Sequence, residues 1–127
     1  MTDCSLEPGE FTPLFENLVH RFGDDAFVVE MLSIFVADGN AAADRLTSAI
    51  LRSDDSSIRN SLHSLKNILG TMQSGSLFML AERTAEAFRN SNVAQARTDA
   101  DELVSGTRRL VLAAGIFLGE FTKASPP

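Results

Sequence analysis

Apolar residues recur along the chain at alternating steps of three and four, which is the spacing of one face of an α-helix. The clearest apolar stripe lies near the C-terminus and comprises Val93, Ala96, Ala100, Leu103, Thr107, Leu110, Ala114, Phe117 and Phe121. Val104, Val111 and Leu118 flank this stripe on one side. No comparable run of alternating, β-branched residues is bounded by hairpin turns, so the pattern argues against a β-sheet.

Glycines and polar clusters divide the stripes into segments. The four prolines lie near the ends of the chain, at positions 8, 13, 126 and 127. The span between them lacks the residue that most readily breaks helices, and it is interrupted by RFGDD, RSDDSS, QSGS and RNSN. We therefore predict helices over residues 13–22, 25–52, 55–74, 77–90 and 93–121. The expected N-caps are Thr12, Asp24, Asp54 or Asp55, Ser76 and Asn92.

These segments predict an all-α fold, an antiparallel four-helix bundle with a short extra helix in front of it. The chain has 127 residues, which suits one domain with one core. We expect a flexible N-terminal tail over residues 1–10, the helical bundle over residues 11–122, and a C-terminal tail over residues 123–127.

Composition and charge narrow the class of protein. Hydrophobic residues make up 44% of the chain and charged residues 22%, as in a soluble globular protein. The net charge of −6 argues against nucleic acid or an anionic membrane surface as the partner. The longest apolar runs are shorter than the roughly 20 residues that cross a bilayer, and the N-terminus does not resemble a secretory signal. Because Cys4 has no second cysteine to pair with, a reducing cytoplasm is expected. We predict a cytoplasmic monomer.

The third predicted helix carries a histidine on its outer face. At 100° per residue, Leu62, Leu65, Leu69 and Met72 fall within roughly 40° of Ile58 and form the core stripe. His63 lies roughly 140° from Ile58, so its imidazole points away from the core. Lys66 is expected on the same outward face. The candidate docking contacts for a partner there, for which a plain helix surface is the alternative, are Arg59, Asn67, Gly70, Gln73 and Ser74.

The surroundings of His63 are positively charged in the sequence. Residues 56–81 contain no Asp or Glu but do contain Arg59 and Lys66. Lys66 lies one helical turn from His63, where it would repel an imidazolium and attract a phosphoryl group carried by the ring. An exposed neutral histidine beside a lysine suits reversible phosphoryl transfer, in which catalysis consists mostly of positioning and charge neutralisation.

The same residues resemble the histidine-containing phosphotransfer (HPt) domain family of multistep phosphorelays. The family signature His-x-Leu-Lys-Gly, with another glycine three residues later, is matched by His63, Leu65, Lys66 and Gly70. Family-like positions elsewhere are Asp54, Ile58 and Leu77. The sequence departs from the signature at Asn67, where the family has glycine, and at Gln73, where a second glycine is common.

The resemblance implies a phosphorelay intermediate rather than an enzyme with autokinase activity. His63 would accept a phosphoryl group from a receiver-domain aspartate and pass it to another receiver, and Lys66 would stabilise the phosphoryl group. The implied partners are receiver domains of a hybrid histidine kinase or of response regulators. The chain itself would bind no cofactor or metal, because the magnesium belongs to the receiver.

Two other classes of protein stay open. A histidine-kinase dimerisation domain would place an acidic residue after its histidine and a proline soon afterwards, whereas Ser64 and a proline-free helix follow His63. A non-catalytic helical adaptor would bind a receiver or kinase without phosphotransfer. His20, between Glu16 and Asp24, could suggest a metal, but a salt-linked helix end is the favoured interpretation.

Overall fold

The structure, a computed structural model, describes residues 11–124. Five helices account for almost all of them, and no strand occurs in this range. The helices are α1 (Thr12–Phe22), α2 (Asp25–Leu51), α3 (Asp55–Thr71), α4 (Gly75–Arg89) and α5 (Val93–Ala124). The predicted all-α helical bundle with a short first helix is confirmed. The C-terminal tail predicted over residues 123–127 is wrong at its first two residues, because α5 continues to Ala124. The tail predicted over residues 1–10 and residues 125–127 lie outside the described residues.

Side chains cap three of the helices as predicted. Asp24 accepts a hydrogen bond from the Phe27 amide at 3.1 Å, and the Gln95 amide lies 3.5 Å from the side-chain oxygen of Asn92. Asp54 accepts from the Ser57 amide at 3.3 Å and from the Ser57 hydroxyl at 3.0 Å. The hydrogen bond from the Ser57 side chain is the main cause that lowers the pKa of Asp54 below 3.8.

Two predicted caps are wrong. Thr12 is already helical, and Phe11 precedes it as the N-cap without a side-chain hydrogen bond. Pro13 fits the first turn because it has no amide that needs a partner there. Helix α4 begins at Gly75 behind Ser74, so Ser76 lies within its first turn.

Three turns between helices share one backbone design. Ser53, Gln73 and Ser91 have positive φ angles of 52°, 59° and 60° and lie between successive helices from α2 to α5. In each turn the next residue donates its amide to a carbonyl five residues back, as from Asp54 to Ala49, from Ser74 to Leu69 and from Asn92 to Ala87. This is the left-handed C-cap that glycine usually occupies. Here non-glycine residues adopt it, at a cost in backbone strain.

By their contacts the described residues divide into two compact units, residues 11–38 with 109–124 and residues 39–108. In the first unit, Phe15, Leu18, Val28, Leu32, Phe35 and Leu110 are buried. The second unit has a buried stripe on α3 made of Ile58, Leu62, Leu65 and Leu69, which Met72 continues at the C-cap. Alanines on α2 and α5, together with Leu77, Leu80 and Leu103, complete that core. Val93, the first residue of the predicted C-terminal stripe, is 51% exposed and is not part of it.

Helix α2 is also long and apolar enough to cross a membrane by length and composition alone, with a mean hydropathy of 1.4 over an 18-residue window. Of that window, 33% is buried inside the protein. Mostly buried core helices of soluble proteins and signal sequences near the N-terminus pass the same test. Helix α2 places Leu32 and Phe35 in the core of the first unit and Leu46 in that of the second.

Candidate functional site

His63 lies on the exposed face of α3, opposite the buried leucine stripe. Its sequence neighbours Leu62 and Leu65 are 3% and 0% exposed, because they are turned towards the core of the second unit. The predicted outward orientation of the imidazole is therefore confirmed. Helix α3 is held at its start by the Asp54 cap and along its length by packing against α4. The histidine therefore lies on a helix that is capped at its start and packed along its length.

A groove between α3 and α4 runs past His63. Its volume is about 430 Å³, and it lies entirely within the second unit. Helix α3 contributes Asp55, Ile58, Arg59, Leu62, His63 and Lys66. From α4 and the turn after it come Ala81, Ala85, Phe88, Arg89 and Ser91. The groove combines an apolar floor with three cationic side chains and the carboxylate of Asp55.

Asn67 contacts the imidazole directly. Its side-chain nitrogen Nδ2 lies 3.4 Å from Nε2 of His63, one helical turn away on the exposed face. The sequence predicted that Asn67 would touch a partner reaching His63. The structure shows that Asn67 touches His63 itself.

The ammonium group of Lys66 is oriented by α4. Nζ lies 4.0 Å from Oε2 of Glu82 and 5.7 Å from the ring centroid of Phe78. The Lys66 side chain is 33% exposed, so the ammonium is still accessible from the groove. Packing of α4 against α3 therefore brings a carboxylate to the stretch of α3 that contains no acidic residue after Asp55. This partly neutralises the positive field that the sequence predicted.

Gly70 provides room for the Phe78 ring against α3. A Cβ atom at Gly70 would lie 3.3 Å from Cε1 of Phe78, which is tighter than ordinary contact. The same ring lies near the Lys66 ammonium. Gly70 is exposed, as predicted, but the structure gives it a packing role beside the site.

The structure removes Ser74 from the predicted docking face. Helix α3 ends at Thr71, and the left-handed Gln73 turns the chain before Ser74. Ser74 is 6% exposed, so a partner cannot reach its side chain. The helical geometry that placed Ser74 on the outward face does not extend past Thr71. Gln73 is half-buried and belongs to the turn rather than to the face of α3.

Two further cations line the groove. Arg59 is exposed, and within residues 11–124 no hydrogen bond or ion pair is found for its side chain. Arg89 of α4 pairs with Glu86 at 2.9 Å on an exposed surface. Arg89 and the apolar Phe88 could not be recognised from the sequence, because nothing in the sequence shows that the end of α4 approaches α3.

Away from the groove, α5 carries a buried carboxylate that is held by polar neighbours. Asp99 of α5 is 2% exposed and accepts a hydrogen bond from Gln95 at 2.9 Å, with Nε of Arg83 at 3.6 Å from its other oxygen. No group of three or more metal-ligating side chains occurs within residues 11–124. This range includes His20, Glu16 and Asp24.

No family model matches the chain, and comparisons with curated proteins and with solved structures find no match.

Proposed function

We propose that this protein is a phosphorelay intermediate that carries a phosphoryl group on His63. It takes the group from a receiver-domain aspartate and passes it to another receiver domain. The observation that carries this proposal is the exposed imidazole of His63 in a groove that Lys66 and Arg59 also line. The protein acts stoichiometrically and has no autokinase activity.

The transfer step needs only a neutral imidazole with an accessible lone pair. The lone pair of a ring nitrogen attacks the phosphorus of the aspartyl phosphate, and a new N–P bond forms. The bond between phosphorus and the aspartyl oxygen breaks, and its electrons leave with the carboxylate. The other ring nitrogen keeps its proton throughout, so no general base is required.

Lys66 and Arg59 supply positive charge to this reaction. The transferred group carries negative charge on its oxygens in the transition state, and fixed cations close to it lower the barrier. The ion pair between Lys66 and Glu82 is exposed, and such pairs contribute little to stability. Lys66 can therefore leave Glu82 for the phosphoryl group at small cost.

The partner is a receiver domain of a hybrid histidine kinase or of a response regulator. Such a domain would place its aspartate over His63 and apolar side chains against the floor of the groove. The magnesium ion that the chemistry uses is held by the receiver.

A three-component relay assay tests this proposal. A donor receiver is phosphorylated with labelled phosphate and mixed with a second receiver, with and without the protein. We expect label to reach the second receiver only when the protein is present. If the protein binds the receivers but label never moves, the non-catalytic adaptor replaces the relay intermediate. A tight dimer in solution would favour the histidine-kinase dimerisation domain.

A further inference from the structure

The contact between Asn67 and His63 involves the nitrogen that matters for reactivity. Nδ2 of Asn67 lies 3.4 Å from Nε2 of His63, and both residues are on the exposed face of α3. The spacing of i to i+4 brings the two side chains together on one face of the helix. The contact is therefore built into α3 and requires no partner.

The atoms in contact define the direction of the hydrogen bond. The side-chain nitrogen of an asparagine is a donor, so Nε2 must accept. A neutral imidazole nitrogen accepts only when its proton is on the other nitrogen. The arrangement corresponds to an imidazole that carries its proton on Nδ1.

We propose that Asn67 is a positioning residue that holds His63 in the Nδ1–H tautomer and covers the Nε2 lone pair until the phosphoryl donor arrives. The consequence for transfer rests on the proposed function of His63. The lone pair that accepts from Asn67 is the one that must form the N–P bond, so the hydrogen bond has to break first. Asn67 therefore slows the reaction of His63 with phosphoryl donors and leaves the ring correctly oriented when it is released.

The tautomer can be read without any phosphoryl donor. In ¹⁵N NMR spectra of the 127-residue protein, recorded at alkaline pH, we expect a protonated Nδ1 and an unprotonated Nε2. Asn67→Ala should shift the populations towards the Nε2–H tautomer. Asn17→Ala is the matched control, because Asn17 is an exposed asparagine on α1, outside the unit that contains His63. It should leave the His63 signals unchanged. A wild-type ring protonated on Nε2, or signals indifferent to Asn67→Ala, would overturn the proposal.

Reactivity is measured with phosphoramidate, a small donor that needs no receiver. The Nε2 lone pair attacks phosphorus, the P–N bond of the donor breaks, and ammonia leaves. The ring retains its Nδ1 proton. Asn67→Ala should speed phosphorylation of His63 by about two- to tenfold, the factor that corresponds to one hydrogen bond. Asn17→Ala should react at the wild-type rate.

Asn67→Asp should change the phosphorylation rate in the opposite direction from Asn67→Ala. A carboxylate accepts rather than donates, so it stabilises a proton on Nε2, and phosphorylation by phosphoramidate should become slower than in the wild type. If Asn67→Ala is instead unchanged or slower, Asn67 does not restrain His63.

Failure of this inference can be told apart from failure of the proposed function. If the NMR and phosphoramidate results are as predicted but no receiver transfers a phosphoryl group, the relay function is wrong and the positioning role of Asn67 stands. If a receiver phosphorylates His63 but the ring carries its proton on Nε2, the relay function stands and the positioning role is wrong.

Discussion

Lys66 and Glu82 face each other across the packed pair α3 and α4, with Nζ and Oε2 4.0 Å apart. Glu82 is the first acidic residue after a stretch of 26 positions without one, residues 56–81. In space its carboxylate lies beside Lys66, the cation in that stretch that is expected to serve the phosphoryl group. The side chains are 33% and 52% exposed, so their attraction is screened by water. Glu82 thus competes with the phosphoryl group for Lys66, but only moderately.

Removing the charge of Glu82 should therefore speed transfer. We expect Glu82→Gln to raise the rate of phosphotransfer from a receiver to His63 by up to about fivefold, since an exposed pair contributes about 1 kcal/mol or less. Rapid-quench measurement of the labelled protein gives this rate. Glu102→Gln, an exposed residue of α5, removes the same charge away from the groove and should have no effect.

Lys66 itself should be needed for fast transfer. We expect Lys66→Ala to slow the reaction by about tenfold for each 1.4 kcal/mol of lost transition-state stabilisation. In the Lys66→Ala background, Glu82→Gln should no longer accelerate transfer, because its effect acts through the ammonium. An acceleration that persists without Lys66 would show that Glu82 acts on the receiver or on His63 directly.

The turn after α3 carries strain that glycine would relieve. Gln73 has a φ angle of 59°, a conformation that costs an L-residue with a side chain roughly 1 kcal/mol. Gln73→Gly should raise the free energy of unfolding by about 1 kcal/mol, less the entropy that glycine adds to the unfolded chain. Urea unfolding monitored by circular dichroism measures this difference. Ser91→Gly, at the equivalent turn after α4, should change stability in the same direction, whereas a loss of stability in both variants would contradict the account of these turns.

The Asp54 cap should make the free energy of unfolding depend on pH in the acidic range. The hydrogen bonds from Ser57 lower the pKa of Asp54 below its ordinary value of 3.8. The folded state therefore binds fewer protons than the unfolded state in this range, so the contribution of Asp54 is fully present above about pH 5 and is lost as the pH falls through the folded pKa. In the variant Asp54→Asn, the side-chain amide oxygen would still accept from the Ser57 amide, but the side chain would not titrate.

The comparison of wild type with Asp54→Asn isolates this effect. Their difference in unfolding free energy should be constant from pH 5 to 7 and should shift in favour of the variant as the pH falls below about 4. A difference that stays constant down to pH 3 would show that the carboxylate has the same proton affinity in both states.

Sequence periodicity located the helices and the orientation of His63 because both depend on local geometry. A rotation of 100° per residue is enough to place Leu62 and Leu65 in the core and His63 outside it. The same rotation failed for Ser74, because the helix ends at Thr71 and Gln73 turns the chain. The end of a helix depends on which residue adopts a left-handed φ angle. Glycine would indicate that position in a sequence, whereas a glutamine such as Gln73 does not.

The surroundings of the site depended on tertiary packing. Glu82, Phe78 and Arg89 reach α3 only because α4 packs against it, and no local pattern shows which face α4 presents. The contact of Asn67 with His63 is different, because it depends only on local helical geometry. Residues at i and i+4 are neighbours on a helix face, so the sequence already places the two side chains side by side.

The role of His63 is tested most directly by locating the phosphoryl group after transfer from a phosphorylated receiver in the presence of magnesium. The chain has two histidines, His20 and His63, so each can serve as the control for the other. We expect one acid-labile, base-stable phosphoryl group in the wild type and in His20→Gln, and none in His63→Gln, with equal helix content in all three. Labelling that survives in His63→Gln, or its absence from the wild type with every receiver tested, would contradict the assignment of His63 as the phosphoacceptor.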